Sequence, residues 1–203
     1  DTTYNQAPGR LNVYDEHPFR VLMDYGHNPP AVRALVELVE KLEVRGRRLL
    51  VLAAPGDRRD EDIRAIALAV AGRFDHYICR RDDNVRGRGP LEVPHMLART
   101  LREAGVPEGA ITVIEREVPA VQAVLEMAQP EDLLLVFADA IERTWKQITS
   151  FRSEREVSIE PRRRPEPVAI PPAEPQLRFN SEQLIRDERG VILAPRDGDE
   201  PAD

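Results

Sequence analysis

The sequence predicts an α/β fold: a mainly parallel sheet with helices on both faces, followed by an extended tail. Three observations carry this. Five short, continuously apolar runs recur through the first 150 residues, as expected of strands covered on both faces. Segments with helical apolar spacing separate them. Proline then gathers at the end, with eight of the 18 prolines after residue 150.

The elements follow in order. Leu11–Tyr14 reads as an edge strand, antiparallel to the run Phe19–Asp24. Val32, Leu35, Val36, Val39 and Leu42 then recur at helical spacing. Asn28 and Pro29 make a standard start for that helix. Leu49–Ala54 is the next strand, followed by the helical set Ile63, Ile66, Ala67 and Val70. The acids Asp60, Glu61 and Asp62 suit the positive end of that helix. His76–Cys79 precedes the set Val93, Met96, Leu97 and Leu101. Ile111–Ile114 precedes Val121, Val124, Leu125 and Ala128, and Leu133–Phe137 precedes Ile141, Trp145 and Ile148. Trp145 and Phe151 read as core anchors of the last helix. Strand and helix alternate about five times, which implies a Rossmann-like parallel sheet with right-handed crossovers. No internal repeat is evident.

The stretch 152–203 mixes eight prolines with Arg162, Arg163 and Arg164 and ends Asp197-Gly-Asp-Glu-Pro-Ala-Asp203. Such a composition does not bury enough apolar area to offset ordering entropy of about 1–2 kcal/mol per residue. The expected division is a domain over 1–151 and a mostly disordered Pro/charge-rich tail over 152–203. The exception is Ile185–Leu193, where Val191, Ile192 and Leu193 suit a short strand.

Composition narrows the function. The 203 residues carry a net charge of −7, which argues against a general nucleic-acid binder. The longest apolar run is Ala65–Ala71, far short of the roughly 20 residues of a membrane span. A single cysteine, Cys79, excludes an internal disulfide and suits a reducing, cytoplasmic setting. The chain opens at Asp1 rather than Met, which suggests a piece of something longer.

Several chemistries are missing. There is no Gly-x-x-x-x-Gly-Lys-Ser/Thr phosphate loop and no Gly-x-Gly-x-x-Gly dinucleotide fingerprint. The four histidines, His17, His27, His76 and His95, lack zinc-ligand spacing, and His17 and His95 read as surface residues. No Ser/His/Asp constellation is apparent.

What is present collects beyond the strand ends, where ligands bind in open α/β sheets. These ends carry Asp24–Pro29, Pro55–Asp62, Arg80–Gly89 and Asp139. By itself the chain looks like half of an active site.

Pro8-Gly-Arg10 and Asp24-Tyr-Gly-His-Asn-Pro29 resemble the start of the C-terminal domain of the Mur ligase superfamily. Gly56-Asp-Arg-Arg-Asp-Glu-Asp-Ile63 and Asn84-Val-Arg-Gly-Arg88 narrow the resemblance to the cyanophycin synthetases and their relatives. Ile185–Leu193 is similar to the end of several bacterial members.

The resemblance implies an enzyme part that is not active alone. Such ligases use ATP and Mg2+ to turn a carboxylate into an acyl phosphate, which an amine attacks. A central P-loop domain, in cis or in trans, supplies most phosphate and metal contacts. The C-terminal domain closes over the nucleotide and presents the incoming amino acid. In cyanophycin synthetases that amino acid is arginine, joined to an aspartate-containing polymer. Assembly as a homo-oligomer is left open.

Carried onto this sequence, the resemblance places Arg10 and Asp24 by the nucleotide, and His27 and Asn28, on the strand-to-helix loop beside Asp24, are further candidate nucleotide contacts. A guanidinium suits ribose oxygens or phosphate, and a carboxylate at Asp24 suits a ribose hydroxyl. The bland alternatives are a turn-closing surface arginine for Arg10, a structural histidine for His27 and helix caps for Asp24 and Asn28. Capping is the better reading of Asn28. The resemblance places Asp57 and Arg58 near the triphosphate or incoming amino acid, and Asp82, Asp83, Asn84, Arg86 and Arg88 in the loop that selects the amino acid. Acids there would pair with a guanidinium and arginines with the α-carboxylate, though a solvated charged loop is the commoner fate of such runs. Asp139 would orient the attacking amine; its bland alternative is a cap for the last helix. No metal site is expected on this chain.

The competing reading is a non-catalytic binding or interaction module that keeps the fold. A nicotinamide-dependent enzyme is disfavoured by the missing glycine fingerprint.

Overall fold

The computed structural model describes residues 7–152, 184–187 and 190–193. The expected tail over 152–203 lies outside them, apart from Arg152 and two short strands. The chain forms two units, Asp1–Glu160 and Pro161–Asp203.

The first unit runs β1 (Asn12–Tyr14), β2 (Arg20–Asp24), α1 (Pro29–Lys41), β3 (Arg48–Leu52), α2 (Asp60–Val70), β4 (His76–Cys79), α3 (Glu92–Glu103), β5 (Ile111–Val113), α4 (Glu117–Met127), β6 (Leu133–Phe137) and α5 (Ile141–Ser150). Every apolar run and helical spacing read from the sequence is an element here. The sheet order is β1-β2-β6-β3-β4-β5. β1 is antiparallel to β2, and β2, β6, β3, β4 and β5 are mutually parallel neighbours. In the second unit, β7 (Leu184–Asp187) pairs antiparallel with β8 (Gly190–Leu193). The strand expected at Val191–Leu193 is therefore formed.

Alternation along each strand divides the core into two layers. Leu22, Leu50, Leu52, Tyr77, Leu133 and Leu135 pack with α1, α2 and α3 on one face. Val21, Met23, Leu49, Val51, Ile78, Leu134 and Val136 pack with α4 and α5 on the other. Each such aliphatic side chain stabilises the fold by about 1.5–3 kcal/mol.

Local devices fix the helix ends. Asn28 Oδ1 accepts the Ala31 N–H at 3.0 Å, and proline opens α1. Tyr77 closes α2 from below: its hydroxyl donates to Val70 O at 3.0 Å and accepts the N–H groups of Arg73 and Phe74 at 3.1 and 3.0 Å. Trp145 and Phe151 pack against the second layer while half-buried. His95 is exposed, as expected. His17 is not the surface residue expected. It is half-buried among Tyr14, Phe19 and Phe151, with Nε2 2.8 Å from Ile148 O. The rings that cover it are Tyr14 of β1, Phe19 just before β2 and, from far along the chain, Phe151 at the end of α5.

Candidate functional site

β6 lies between β2 and β3. The helices that follow β2 and β3 cover one face of the sheet, and the helix that follows β6 covers the other. Neighbouring loops therefore diverge at the carboxyl edge, the geometry at which α/β sheets open a crevice. A cleft of about 10 Å3 sits there, with room for about one water. Tyr25 and His27 line it from β2, Pro55 from β3, Asp82 from β4, and Asp139 from β6.

The loop before β1 reaches the same edge. Gly9 O accepts the Tyr25 N–H at 2.9 Å, and Asp24 Oδ2 accepts the Leu11 N–H at 2.8 Å. Gly9 is obligatory, with φ +73° and Ile141 Cδ1 2.8 Å from where a Cβ would stand. This fastens Pro8-Gly-Arg10 to the end of β2 and leaves Arg10 exposed beside it. Arg10 and Asp24 belong to the same rim but do not line the cleft. One carboxylate oxygen of Asp24 is engaged in holding the turn.

His27 stands on Tyr25, rings 4.9 Å apart, with Nδ1 3.0 Å from Tyr25 O. Asn28 is occupied as the α1 cap, the reading favoured for it from the sequence.

The β3–α2 and β4–α3 loops lock face to face. Arg86 Nη1 meets Asp57 Oδ2 at 2.8 Å, and the guanidinium holds the Asp57 carboxyl below its usual range. Arg88 donates from Nε to Gly56 O, from Nη1 to Glu92, and from Nη2 to both Arg58 O and Asp60, all within 2.6–2.8 Å. Four of its five N–H groups are thus engaged, which makes Arg88 a clamp between loops. Arg58 is exposed. Asn84 Oδ1 accepts the Arg86 N–H at 2.9 Å and shapes the turn in which Arg86 takes φ 49°.

Beneath the cleft lie two residues that the sequence reading passed over. Arg80 and Glu117 are fully buried, with Arg80 Nη2 2.7 Å from Glu117 Oε2. Arg80 also donates to Phe137 O at 2.6 Å and Arg81 O at 2.7 Å. Glu117 accepts from Asp139 N at 2.7 Å, Ala140 N at 3.3 Å, Arg143 at 3.0 Å and Thr144 Oγ1. Burial pushes the Glu117 carboxyl up. Arg80, Thr144, the Asp139 N–H and Arg143 together outweigh it, so its pKa falls below the usual range.

A signal for Arg80 existed. Residues two apart on a strand share a face, so Arg80 continues the Ile78 side, where α4 packs. Glu117 carried none, because an acid at a helix start normally reads as solvated.

Glu117, not Asp139, organises the start of α5. Asp139 Oδ2 instead accepts the Asp83 N–H at 3.0 Å, and Asp83 meets Arg143 at 2.7 Å. Asp82 is buried beside them. Burial, and then the charge of Asp139, push its pKa from 3.8 to about 6, against the pull of Arg80. Asp82 and Asp139 thus repel one another as like charges, on top of the larger effect of burial on Asp82.

Among the described residues no three His, Cys, Asp or Glu side chains stand together as metal ligands. Cys79 is buried, with its thiol pushed up to about 12, so it is no nucleophile at neutral pH. No helix among the described residues is long and apolar enough to cross a membrane.

A mostly parallel α/β sheet with Asp82 and Asp139 converging at its carboxyl edge is the architecture in which α/β domains place their ligand crevices. Residues 9–140 match the Mur ligase, glutamate ligase domain, and the chain belongs to that family. It is 33% identical over 152 residues to the cyanophycin synthetase of Geminocystis herdmanii, covering 75% of this chain and 17% of that protein. It is 34% identical over 135 residues to the UDP-N-acetylmuramoyl-L-alanyl-D-glutamate–2,6-diaminopimelate ligase of Streptomyces coelicolor, covering 64% and 26%. The E. coli FolC solved in complex with DHPP and ADP superposes with a TM-score of 0.56 at 25% identity, over 70% of this chain and 31% of that one. The chain thus spans about a sixth to a quarter of the length of these curated relatives.

Proposed function

We propose that this chain is the C-terminal domain of an ATP-dependent amide ligase resembling cyanophycin synthetase. It closes over ATP and presents an incoming amino acid, arginine in first place, to an acyl phosphate made from an aspartate-containing polymer. ATP supplies the phosphoryl group that activates the carboxylate. The acceptor polymer, the phosphate loop and Mg2+ belong to a central domain in cis or in trans, so the chain alone is inactive.

Within this reading the residues divide by position. Arg10 and His27, at the β2 end of the rim, face the nucleotide. Asp24 and Asn28 hold the backbone that carries them, and Asp24 keeps one oxygen for a ribose hydroxyl. Asp82 and Asp139 take the cationic substrate. Asp139 accepts a hydrogen bond from the neutral amine and orients its lone pair to the acyl carbonyl; as the C–N bond forms, the carbon–oxygen bond to phosphate breaks and the amine's proton leaves with the phosphate. Arg86, exposed, meets the α-carboxylate by exchanging away from Asp57. Arg58 faces the triphosphate.

The observation that carries the reading is the convergence of Asp82 and Asp139 on one cleft, with Asp82 held at about 6. The test is a titration of the 15N-labelled chain with ADP and with L-arginine. Arginine is expected to move the amides of Asp83 and Asp139, and ADP those of Gly9–Leu11 and Tyr25–Asn28, without ATP turnover. ATP-dependent ligation by the chain alone, or responses confined to the far ends of the strands, overturns it. One observation favours a binding module that has lost catalysis, namely the engagement of Arg88 within the loops. That reading predicts no response to either ligand.

A further inference from the structure

We propose that the buried Arg80–Glu117 pair is a positioning device, fixing Asp82 and Asp139 against one another across the carboxyl edge and so setting the site's grip on a cationic substrate group. The inference rests on the proposed role of those two aspartates and extends it to the buried charges that hold them.

β4 and β6 are not neighbours; β3 lies between them. Asp82 follows β4 and Asp139 follows β6, so no ladder hydrogen bond sets their spacing. Arg80 supplies it. Leaving β4, where its N–H donates to Leu52 O at 2.9 Å, its side chain passes to β6 and donates to Phe137 O. On the way it meets Glu117, which comes from α4 and holds the Asp139 and Ala140 N–H groups. The Asp83 N–H completes the circuit by donating to Asp139 Oδ2. Three elements are thereby tied beneath one cleft.

The chemistry requires a carboxylate at 117. Oε2 accepts from Arg80 and Asp139 N, while Oε1 accepts from Ala140 N, Arg143 and Thr144. Glutamine has one acceptor oxygen and an amide donor. Whichever way it turned, one set of donors would face an N–H. A merely structural pair would not need to reach both loops that carry the acids.

The charges facing Asp82 are Asp139 from the β6 loop, Arg80 and Arg86 from its own segment, and Glu117 from α4; His27 faces the same cleft from the β2 loop. Removing Glu117's charge lowers the Asp82 midpoint, and displacement of Asp139 lowers it further.

The test follows Asp carboxyl 13C resonances against pH in the full 203-residue chain, alongside titrations with L-arginine and its neutral isostere L-citrulline. For Glu117→Gln the Asp82 midpoint is expected to fall by about half a pH unit or more. The Asp139 amide should shift, and arginine affinity should drop by about threefold or more while citrulline is unaffected. A variant that melts earlier yet keeps the wild-type Asp83 amide position and arginine affinity makes the pair a staple only and overturns the proposal, since a lower midpoint alone follows from the lost charge. Should Glu117→Gln fail to fold, Arg80→Met with Glu117→Gln removes both charges and leaves no buried ion unpaired. In it the Asp83 amide, which donates to Asp139 Oδ2, is expected to shift and arginine affinity to fall, because Asp139 is no longer held; wild-type values of both overturn the proposal. If the wild-type chain ignores arginine, the substrate reading fails, while the Asp83 amide still decides the positioning role.

Discussion

A Cβ on Gly56 would stand 2.2 Å from the carbonyl oxygen of Val85. The β3–α2 and β4–α3 loops touch there, backbone to backbone, and the Arg86–Asp57 and Arg88–Asp60 pairs close over the contact.

Gly56→Ala is therefore expected to force the loops apart. Overpacking of this kind destabilises by about 1–3 kcal/mol, read as a lower melting temperature. The response should be larger than for Gly72→Ala, where nothing lies within 4 Å of the new Cβ and only the positive φ is penalised. Equal losses in the two variants would show that the loops yield freely.

The second prediction concerns pH. Asp82 has a folded pKa of about 6, above its usual 3.8. Protonation therefore favours the folded state. The contribution is fully present below the unfolded value and is lost as pH rises through about 6. A shift of this size corresponds to about 3 kcal/mol as an upper bound. Asp82→Asn mimics the protonated form, so it should melt higher than wild type at pH 7.5, and the difference should vanish at pH 4. Urea midpoints at the two pH values check this; a variant that is no more stable at pH 7.5 contradicts the burial of a charged Asp82. The same variant should lose its response to arginine, so stability and binding would move in opposite directions.

Tyr77→Phe gives the third. Its hydroxyl serves one carbonyl and two N–H groups at the end of α2, in a residue that is fully buried. Phenylalanine keeps the packing and leaves those groups unpaired, at about 1–3 kcal/mol. Thermal denaturation should show the loss, and hydrogen exchange should quicken at Arg73 and Phe74 before it does elsewhere.

These residues also show how far the sequence could be read. Strands such as Leu133–Phe137 were legible because burial on both faces demands an unbroken apolar run. Helices such as Pro29–Lys41 were legible from apolar spacing and from the Asn-Pro start. The rim was legible because topology alone sends Asp24, Asp57, Asp82 and Asp139 to one edge. Pairing was not legible. Arg88 reads as a solvated cation until Gly56 and Asp60, some thirty residues earlier, are seen to receive it. Glu117 looks like any acid at a helix start until the β6–α5 loop closes over it. Burial of a charge such as Glu117 depends on contacts distant in the chain, and local pattern carries no record of them.

Asn28 offers the sharpest separation of a structural from a binding role. Its side chain caps α1 at 3.0 Å, and it sits next to His27 on the rim. Asn28→Ala should destabilise by about 1 kcal/mol, the usual loss for an N-cap. Asn28→Ser and Asn28→Asp both restore an acceptor for the Ala31 N–H and should recover that loss. The two differ toward a nucleotide, since aspartate adds a negative charge beside phosphates and serine does not. If the cap is the residue's whole task, the serine variant binds ADP as the wild type does and the aspartate variant binds it more weakly. If the side chain contacts the nucleotide directly, serine loses affinity although stability is restored. Melting temperatures paired with ADP-induced shifts at His27 and Tyr25 read the two roles apart, and the occupied cap oxygen predicts the first outcome.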